Sequence, residues 1–332
     1  MRIGTSHLGL RHVAAVALCA AMGGAAAQSS PPASDYPTRT IRLILPFPPG
    51  GGTDTLGRIL AQRLHEAFGQ QVMTENRPGA GGNIGSELVS KAMPDGYTLL
   101  LGSPSLVISP TLYRKLSYDP LKDLTPVAMA AEIPSIFSVH RNVPARSLRE
   151  LVQLARAEPG KLAFGTGGAG TSNELGAHLF LSTTRLKILI VPHKGVNQAT
   201  LALLGGHVDM VIAGISTVGP HIRDGKLRGL ALLGPSRAST FPQVPTAEQA
   251  GFPWLQVRAW YIVMAPSGTP KVVIDRLNPV ITRIVRSPDS RERFSTLGFE
   301  PMTGSPEDAA RFIVAETERW SKIVLATGVR VE

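Results

Sequence analysis

The 332-residue chain has a single cysteine, Cys19, inside an unusual N-terminal segment. There, two arginines precede an apolar, small-residue run over 13–27 that ends in three alanines. A basic start, a short apolar core and a small-residue end are typical of a secretory signal peptide. We therefore predict that residues 1–27 are cleaved near Ala27 and that the mature chain is exported. It would then have no cysteine for disulfide or thiol chemistry.

Aromatic residues are also scarce, at 5% of the chain, so stacked aromatic platforms for single-stranded nucleic acid are not expected. The formal net charge of +10 falls to +8 without residues 1–27, which carry two arginines and no acidic residue. Arg and Lys are dispersed, with no run of three, whereas nucleic-acid binding requires clustered basic residues. The basic balance favours small anionic molecules, and no nucleic-acid partner is expected.

Motifs of catalysis are missing as well. The chain has no Walker sequence, no G-x-S-x-G and no H-E-x-x-H, and its eight histidines do not pair at metal-ligand spacing. The run Gly165–Gly170 does fit the dinucleotide pattern G-x-G-x-x-G. The acidic residue that should follow about 20 residues later is absent, because 188–194 reads ILIVPHK. We expect no catalytic residue, no metal and no cofactor, and a dinucleotide-dependent enzyme is only an alternative.

Glycine is abundant where strands turn into helices. An apolar strand, Ile41–Leu45, leads through Gly50, Gly51 and Gly52 into a helix that ends near Phe68. Either of the next two residues, Thr53 or Asp54, is a candidate N-cap. Such a turn offers backbone N–H groups at the positive end of a helix dipole, which suits an anion. An ordinary strand-to-helix turn is the alternative.

The same pattern returns in the second half of the chain. A strand over 161–164 is followed by the glycine run 165–170, and Thr171–Glu174 reads as a capping box that opens a helix. Further capping signals are Ser147 before helix 148–157 and Ser305 before a C-terminal helix.

Strands alternate with helices along the rest of the chain, after a Pro/Ser linker over 28–36. This alternation predicts doubly wound parallel α/β sheets. The length allows two domains. Ligands of such sheets bind outside the carboxyl ends of the strands, where both glycine loops fall.

Seven spaced motifs together resemble one family, the periplasmic solute-binding proteins of tripartite tricarboxylate transporters, or Bug family. The resemblance covers 36–330. The motifs are PFPPGGGTD (46–54), ENRPGAGGN (75–83), PDGYTL (94–99), VPHKG (191–195), LGGHVD (204–209), VPT (244–246) and APSGTP (265–270).

The resemblance implies a two-domain periplasmic binding protein of the Venus-flytrap, type II-like class, with doubly wound sheets joined by two crossover strands. The predicted domains are 37–135 plus 258–332, and 136–257. The implied function is capture of a small carboxylate, a di- or tricarboxylate or an aromatic acid, by a monomer that delivers it to membrane permease subunits. A binding protein that reports to a sensor kinase is the alternative.

By position in the motifs and loops, sixteen residues are predicted to bind the ligand, largely through main-chain groups. They are Phe47, Pro48, Gly50, Gly51, Gly52, Thr53, Asp54, Ser103, Gly165, Thr166, Gly168, Gly170, Thr171, Ser172, His193 and Asp209. The chain departs from the family at His193, where members often have Tyr, and at Glu174, where they often have His. It is also less polar near Ala213 and Gly214. These departures leave the identity of the ligand open.

Overall fold

The computed structural model describes residue 1, residues 35–238 and residues 240–331. The predicted signal peptide beyond its first residue and most of the linker 28–36 lie outside the described residues. The strands are β1 (Ile41–Leu45), β2 (Val72–Asn76), β3 (Thr98–Gly102), β4 (Leu124–His140), β5 (Ala163–Thr166), β6 (Leu189–Pro192), β7 (Met210–Gly214), β8 (Leu227–Leu232), β9 (Arg258–Pro266) and β10 (Glu300–Pro301). The helices are α1 (Gly52–Phe68), α2 (Asn83–Ser90), α3 (Ser105–Leu112), α4 (Leu148–Ala157), α5 (Ser172–Thr184), α6 (Val196–Leu204), α7 (Ile215–Arg223), α8 (Lys271–Arg286), α9 (Pro288–Leu297) and α10 (Pro306–Thr327).

Two sheets share the long strand β4, which confirms the predicted two-domain α/β class. The first half of β4 pairs with β9 up to Pro134, and from Ser135 onward β4 pairs with β7. In the first sheet β1 lies between β2 and β3, and in the second β5 lies between β6 and β7, all parallel. We define lobe 1 as 37–135 with 258–331 and lobe 2 as 136–257. These limits remain a prediction.

The alternation of strands and helices predicted parallel sheets, but the sheets also contain antiparallel pairs. Strands β4 and β9 pair antiparallel with each other, and β9 pairs antiparallel with β3. The reason is that one crossover strand leaves lobe 1 and the other returns to it, so the two run in opposite directions. Nearly all of β4 is buried because layers of the fold cover both of its faces.

Helix α10 fastens the returning crossover strand. The buried carboxylate of Glu316 accepts hydrogen bonds from Trp260 Nε1 on β9, at 2.9 Å, and from Trp320 Nε1, at 3.0 Å. The predicted cap of α10 is confirmed, since Ser305 Oγ accepts from Asp308 N at 3.1 Å and Asp308 Oδ2 accepts from Ser305 N at 2.9 Å. In the part of the chain that the structure describes, no helix is long and apolar enough to cross a membrane.

Some helices differ from their prediction. The sequence predicts a helix over 219–224, after a strand over 208–213, whereas α7 begins four residues earlier, at Ile215. Two helices, α3 and α9, were not predicted at all. Helix α3 is flanked and interrupted by proline, with Pro104 before its first residue and Pro110 inside it, and proline usually marks a helix boundary.

Candidate ligand-binding cleft

A cleft separates the two lobes and is lined by residues of both. Its empty volume is about 820 Å³, counting the open solvent space at its mouth. The lining residues are Phe47, Pro48, Pro49, Gly51, Gly52, Thr53, Ser103, Pro104, Ser105, Ile133, Ser135, Thr171, Ser172, Asn173, Gly195, Val196, Asn197, Gln198, Ala213, Gly214, Ser216, Thr217, Ala259 and Tyr261.

Helix N-termini from both lobes converge on this cleft. Helices α1 and α3 of lobe 1 and helices α5, α6 and α7 of lobe 2 all begin among the lining residues. None of these five helices has a side-chain hydrogen bond at its N-cap. The first N–H groups of a helix have no partner within the helix, and the dipole makes this end positive. The cleft is therefore ringed by main-chain donors that can hold an anion.

No charged side chain lines the cleft among the residues that the structure describes. Its polar side chains are hydroxyls and amides of Ser, Thr, Asn, Gln and Tyr, and the rest are apolar or glycine. The same part of the chain contains no group of three or more His, Cys, Asp or Glu that could hold a metal ion. Among these lining residues, the donors for an anion are therefore peptide N–H groups and uncharged side chains, and not Lys or Arg.

The glycine turn before α1 is held by a buried carboxylate. The N-cap is Gly51, so the prediction of Thr53 or Asp54 as N-cap is wrong. Asp54 lies inside the first turn and accepts from Gly50 N at 3.0 Å, from Asn76 Nδ2 at 3.1 Å and from Arg58. Burial alone would raise the pKa of Asp54, but these hydrogen bonds and the charge of Arg58 hold the pKa below its usual value. Asp54 thus braces the turn from behind the cleft.

Tyr261, on the crossover strand β9, lines the cleft. The ring is buried, and burial raises the pKa of its hydroxyl, which interacts with Thr53. A Cβ at Gly52 would collide with that hydroxyl, so glycine is required there by close packing. The first turn of α1 consequently sits directly on the crossover strand.

The glycine turn before α5 differs from its prediction. Thr171 is the N-cap, but its hydroxyl lies 2.7 Å from Gly168 O and 2.5 Å from Asn173 Oδ1, which share its single proton, and it accepts no helix N–H. Glu174 is buried and accepts from Thr166 Oγ1 at 2.9 Å. The predicted capping box is therefore wrong, because the Glu174 carboxylate turns inward to the end of β5.

Half of the predicted ligand-binding residues line the cleft. This group comprises Phe47, Pro48, Gly51, Gly52, Thr53, Ser103, Thr171 and Ser172. The structure does not bring the other half to the cleft wall, namely Gly50, Asp54, Gly165, Thr166, Gly168, Gly170, His193 and Asp209. Which of the sixteen contact a ligand stays a prediction.

Several residues of the second group have other contacts. The Asp209 carboxylate accepts from Ala163 N at 2.7 Å, which ties the start of β5 to the residue before β7. His193 Nδ1 lies 2.9 Å from Val191 O. Gly165 is buried in β5, where a Cβ would lie 2.9 Å from Val208 Cγ2. These contacts all stabilise lobe 2 itself.

The prediction missed two sets of lining residues. The first follows β6 and β7, where Gly195–Gln198 and Gly214–Thr217 begin helices α6 and α7. The rule that ligands bind at the carboxyl ends of strands could have identified this set. The second set lies on the crossover strands, where no local sequence signal marks it, and comprises Ile133, Ser135, Ala259 and Tyr261.

Comparisons with known proteins agree with this geometry. A family model described as "Tripartite tricarboxylate transporter family receptor" matches residues 56–329. The chain is 38% identical over 324 residues to Protein BugT of Bordetella pertussis, which covers 97% of this chain and 99% of BugT.

Two similar solved structures contain carboxylates. A protein of R. palustris with adipate has a TM-score of 0.85 at 35% identity, covering 89% of this chain and 99% of that chain. MatC from Rhodopseudomonas palustris with bound malate has a TM-score of 0.81 at 31% identity, covering 87% of this chain and 100% of that chain. The predicted resemblance is confirmed, and the chain belongs to the tripartite tricarboxylate transporter receptor family of periplasmic solute-binding proteins.

Proposed function

We propose that this chain captures a small carboxylate in the cleft between its lobes and delivers it to the membrane permease of a tripartite tricarboxylate transporter. The observation that carries the proposal is the convergence of five helix N-termini without side-chain caps on a cleft without charged side chains. Each such end favours an anion by about 0.3–1 kcal/mol at an exposed site and by up to about 2 kcal/mol when partly buried.

Main-chain capture explains why the nearby cations are not needed. Arg258, at the start of β9, pairs with Glu132 at 2.9 Å, and the pair is mostly buried. Lys194 is exposed and does not line the cleft. A carboxylate in the cleft would therefore be held by N–H and hydroxyl donors that are already fixed in place.

The lining also favours binding without chemistry. Among the described lining residues there is no His, Cys, Asp, Glu, Lys or Arg to act as base, acid or activated nucleophile. We therefore propose a non-enzymatic role, in keeping with a family of binding proteins. Periplasmic export, through the signal peptide predicted over 1–27, would bring the receptor to its permease.

A binding screen tests the proposal. Purified mature protein would be heated with adipate, malate, citrate and benzoate, and a hit would then be measured by calorimetric titration. A ligand at 100 times its Kd stabilises a protein by about 2.7 kcal/mol, which is readily seen as a higher melting temperature. The uncharged amide of each hit is the matched control, because it keeps the shape and removes the anion. Binding of the amide as tightly as the acid, or no binding of any carboxylate, would contradict the proposal.

A further inference from the structure

The glycine loop before α5, most of which lies away from the cleft wall, meets a glycine turn of the other lobe. The turn is Ala80–Gly82, which precedes α2 in lobe 1. A Cβ built on Gly81 would lie 2.5 Å from Ala169 O and 3.2 Å from Gly170 Cα, both in lobe 2. The backbones of the two lobes therefore meet here, with the Tyr113 hydroxyl beside them at 3.1 Å from the same Cβ position.

Tyr113 completes this contact from lobe 1. Its hydroxyl donates to Ala169 O at 3.5 Å, and its ring lies 3.3 Å from the position that a Cβ of Gly170 would occupy. Tyr113 is held in turn by Val331, near the end of the chain, with which it forms a β-bridge. The lobe 1 side of the contact is thus tied to the C-terminal part of that lobe.

Backbone conformation alone does not demand glycine at position 81. Gly81 has φ of +65°, but its neighbour Ala80 is a non-glycine residue at φ of +47° in the same turn. The left-handed region is therefore accessible here to a residue with a Cβ, at some cost. The obstacle to a Cβ at position 81 is the steric clash with the backbone of the other lobe.

We infer that Gly81, Ala169 and Gly170 form an inter-lobe contact that permits the cleft to close, and that Gly81 and Gly170 act as positioning residues for closure and not as ligand donors. This inference rests on the proposed function in one respect, namely that ligand capture is the purpose of closure. Opening of the cleft separates these two backbones, and closure brings them back together. A side chain at position 81 acts as a wedge that favours the open state.

The test measures closure through paired spin labels. The mature chain is predicted to contain no cysteine, so Met93→Cys in lobe 1 and Leu201→Cys in lobe 2 provide unique and exposed labelling sites. The distance distribution between the labels gives the ratio of closed to open protein, without ligand and with adipate or malate. Gly81→Ala is compared with Gly69→Ala, which has nearly the same φ of +68° but no atom within 4 Å of the added Cβ.

We expect Gly81→Ala to lower the closed-to-open ratio at least about tenfold, equivalent to about 1.4 kcal/mol, and Gly69→Ala to leave it at the wild-type value. If Gly81→Ala does not fold by circular dichroism, Gly170→Ala applies the same wedge from lobe 2, with a smaller effect expected. Equal ratios in the wedge and control variants would overturn the inference, as would a wild type that never populates a closed distance. A carboxylate that fails to shift the ratio in any variant counts against the proposed function instead.

Discussion

The helices that begin at the cleft differ from those that begin elsewhere in how their first N–H groups are satisfied. Helices α4, α9 and α10 begin away from the cleft, and a serine hydroxyl caps each of them: Ser147, Ser287 and Ser305. The five helices at the cleft have no such cap, and glycine or proline is the N-cap of four of them. A cap contributes about 1 kcal/mol to stability, so the cleft forgoes this stabilisation at several places at once.

Lack of a cap is not sufficient to make a site. Helices α2 and α8 also lack a side-chain cap, yet neither begins among the lining residues of the cleft. What distinguishes the cleft is that several uncapped ends from two lobes face one space without charged side chains. The comparison teaches that capped ends serve the fold, whereas the uncapped ends that share a cavity are available to a ligand.

The largest effect is expected from a side chain placed at an uncapped end. Gly51 has φ of −83°, which any residue adopts, and a Cβ there meets no atom within 4 Å. Gly51→Val should therefore leave the protein folded but occupy ligand space and block N–H donors. We expect a loss of carboxylate affinity of at least about 100-fold, or about 2.7 kcal/mol, by calorimetric titration. Gly51→Ala should lose less, and a Val variant that binds normally would show that α1 is not a donor.

The second effect concerns Asp54, which holds the glycine turn before α1. Asp54→Asn removes the carboxylate that accepts from Gly50 N, Asn76 and Arg58, and should cost about 1–3 kcal/mol of stability at pH 7. Because the folded pKa of Asp54 lies below its usual 3.8, this stabilisation is present above that value. It is lost as the pH falls through the folded pKa. Denaturant unfolding would be measured at pH 7 and at a pH below the folded pKa. The difference in unfolding free energy between variant and wild type should shrink in acid, and a constant difference would contradict this account.

A smaller effect is expected at a capped end. Ser305→Ala removes the acceptor for Asp308 N and should cost about 0.5–2 kcal/mol of unfolding free energy. Because the start of α10 is not among the lining residues, carboxylate affinity should not change. Ser305→Thr is the control that keeps a hydroxyl. An altered affinity in the Ala variant would remove the distinction between capped and uncapped ends.

The smallest effect is expected at Lys194, an exposed cation that precedes the lining residue Gly195. Lys194→Ala should weaken carboxylate binding by less than about tenfold, or about 1.4 kcal/mol, because Lys194 adds only screened attraction from outside the cleft. A loss equal to that of Gly51→Val would mean that a lysine clamp, and not the main chain, holds the ligand.

Helix caps were predicted correctly from sequence away from the cleft, and the cap predictions at the cleft were wrong. The capping-box pattern predicted the cap at Ser147, and Pro306 with the acidic residues after it predicted the cap at Ser305; the structure confirms both. The same pattern at Thr171 was wrong, because the buried Glu174 pairs with Thr166 across the loop. A local pattern does not reveal such a tertiary partner.

The cleft was predictable as far as strand ends define it. The turns after β1 and β5 were found because glycine follows an apolar run, and the turns after β6 and β7 obey the same rule of strand ends. Ser135 and Tyr261 could not be found this way. Their positions depend on where β4 leaves one sheet for the other and on the pairing of β4 with β9, which joins residues far apart in sequence.

The central claim is that main-chain donors at helix N-termini hold a carboxylate in this cleft. It is tested most directly by a crystal structure of the protein with whichever carboxylate most raises its melting temperature. The account predicts carboxylate oxygens within about 2.7–3.2 Å of backbone N–H groups at the starts of α1 and of at least one lobe 2 helix. A ligand carboxylate paired with Lys194 or Arg258, with those N–H groups left unbonded, would contradict it.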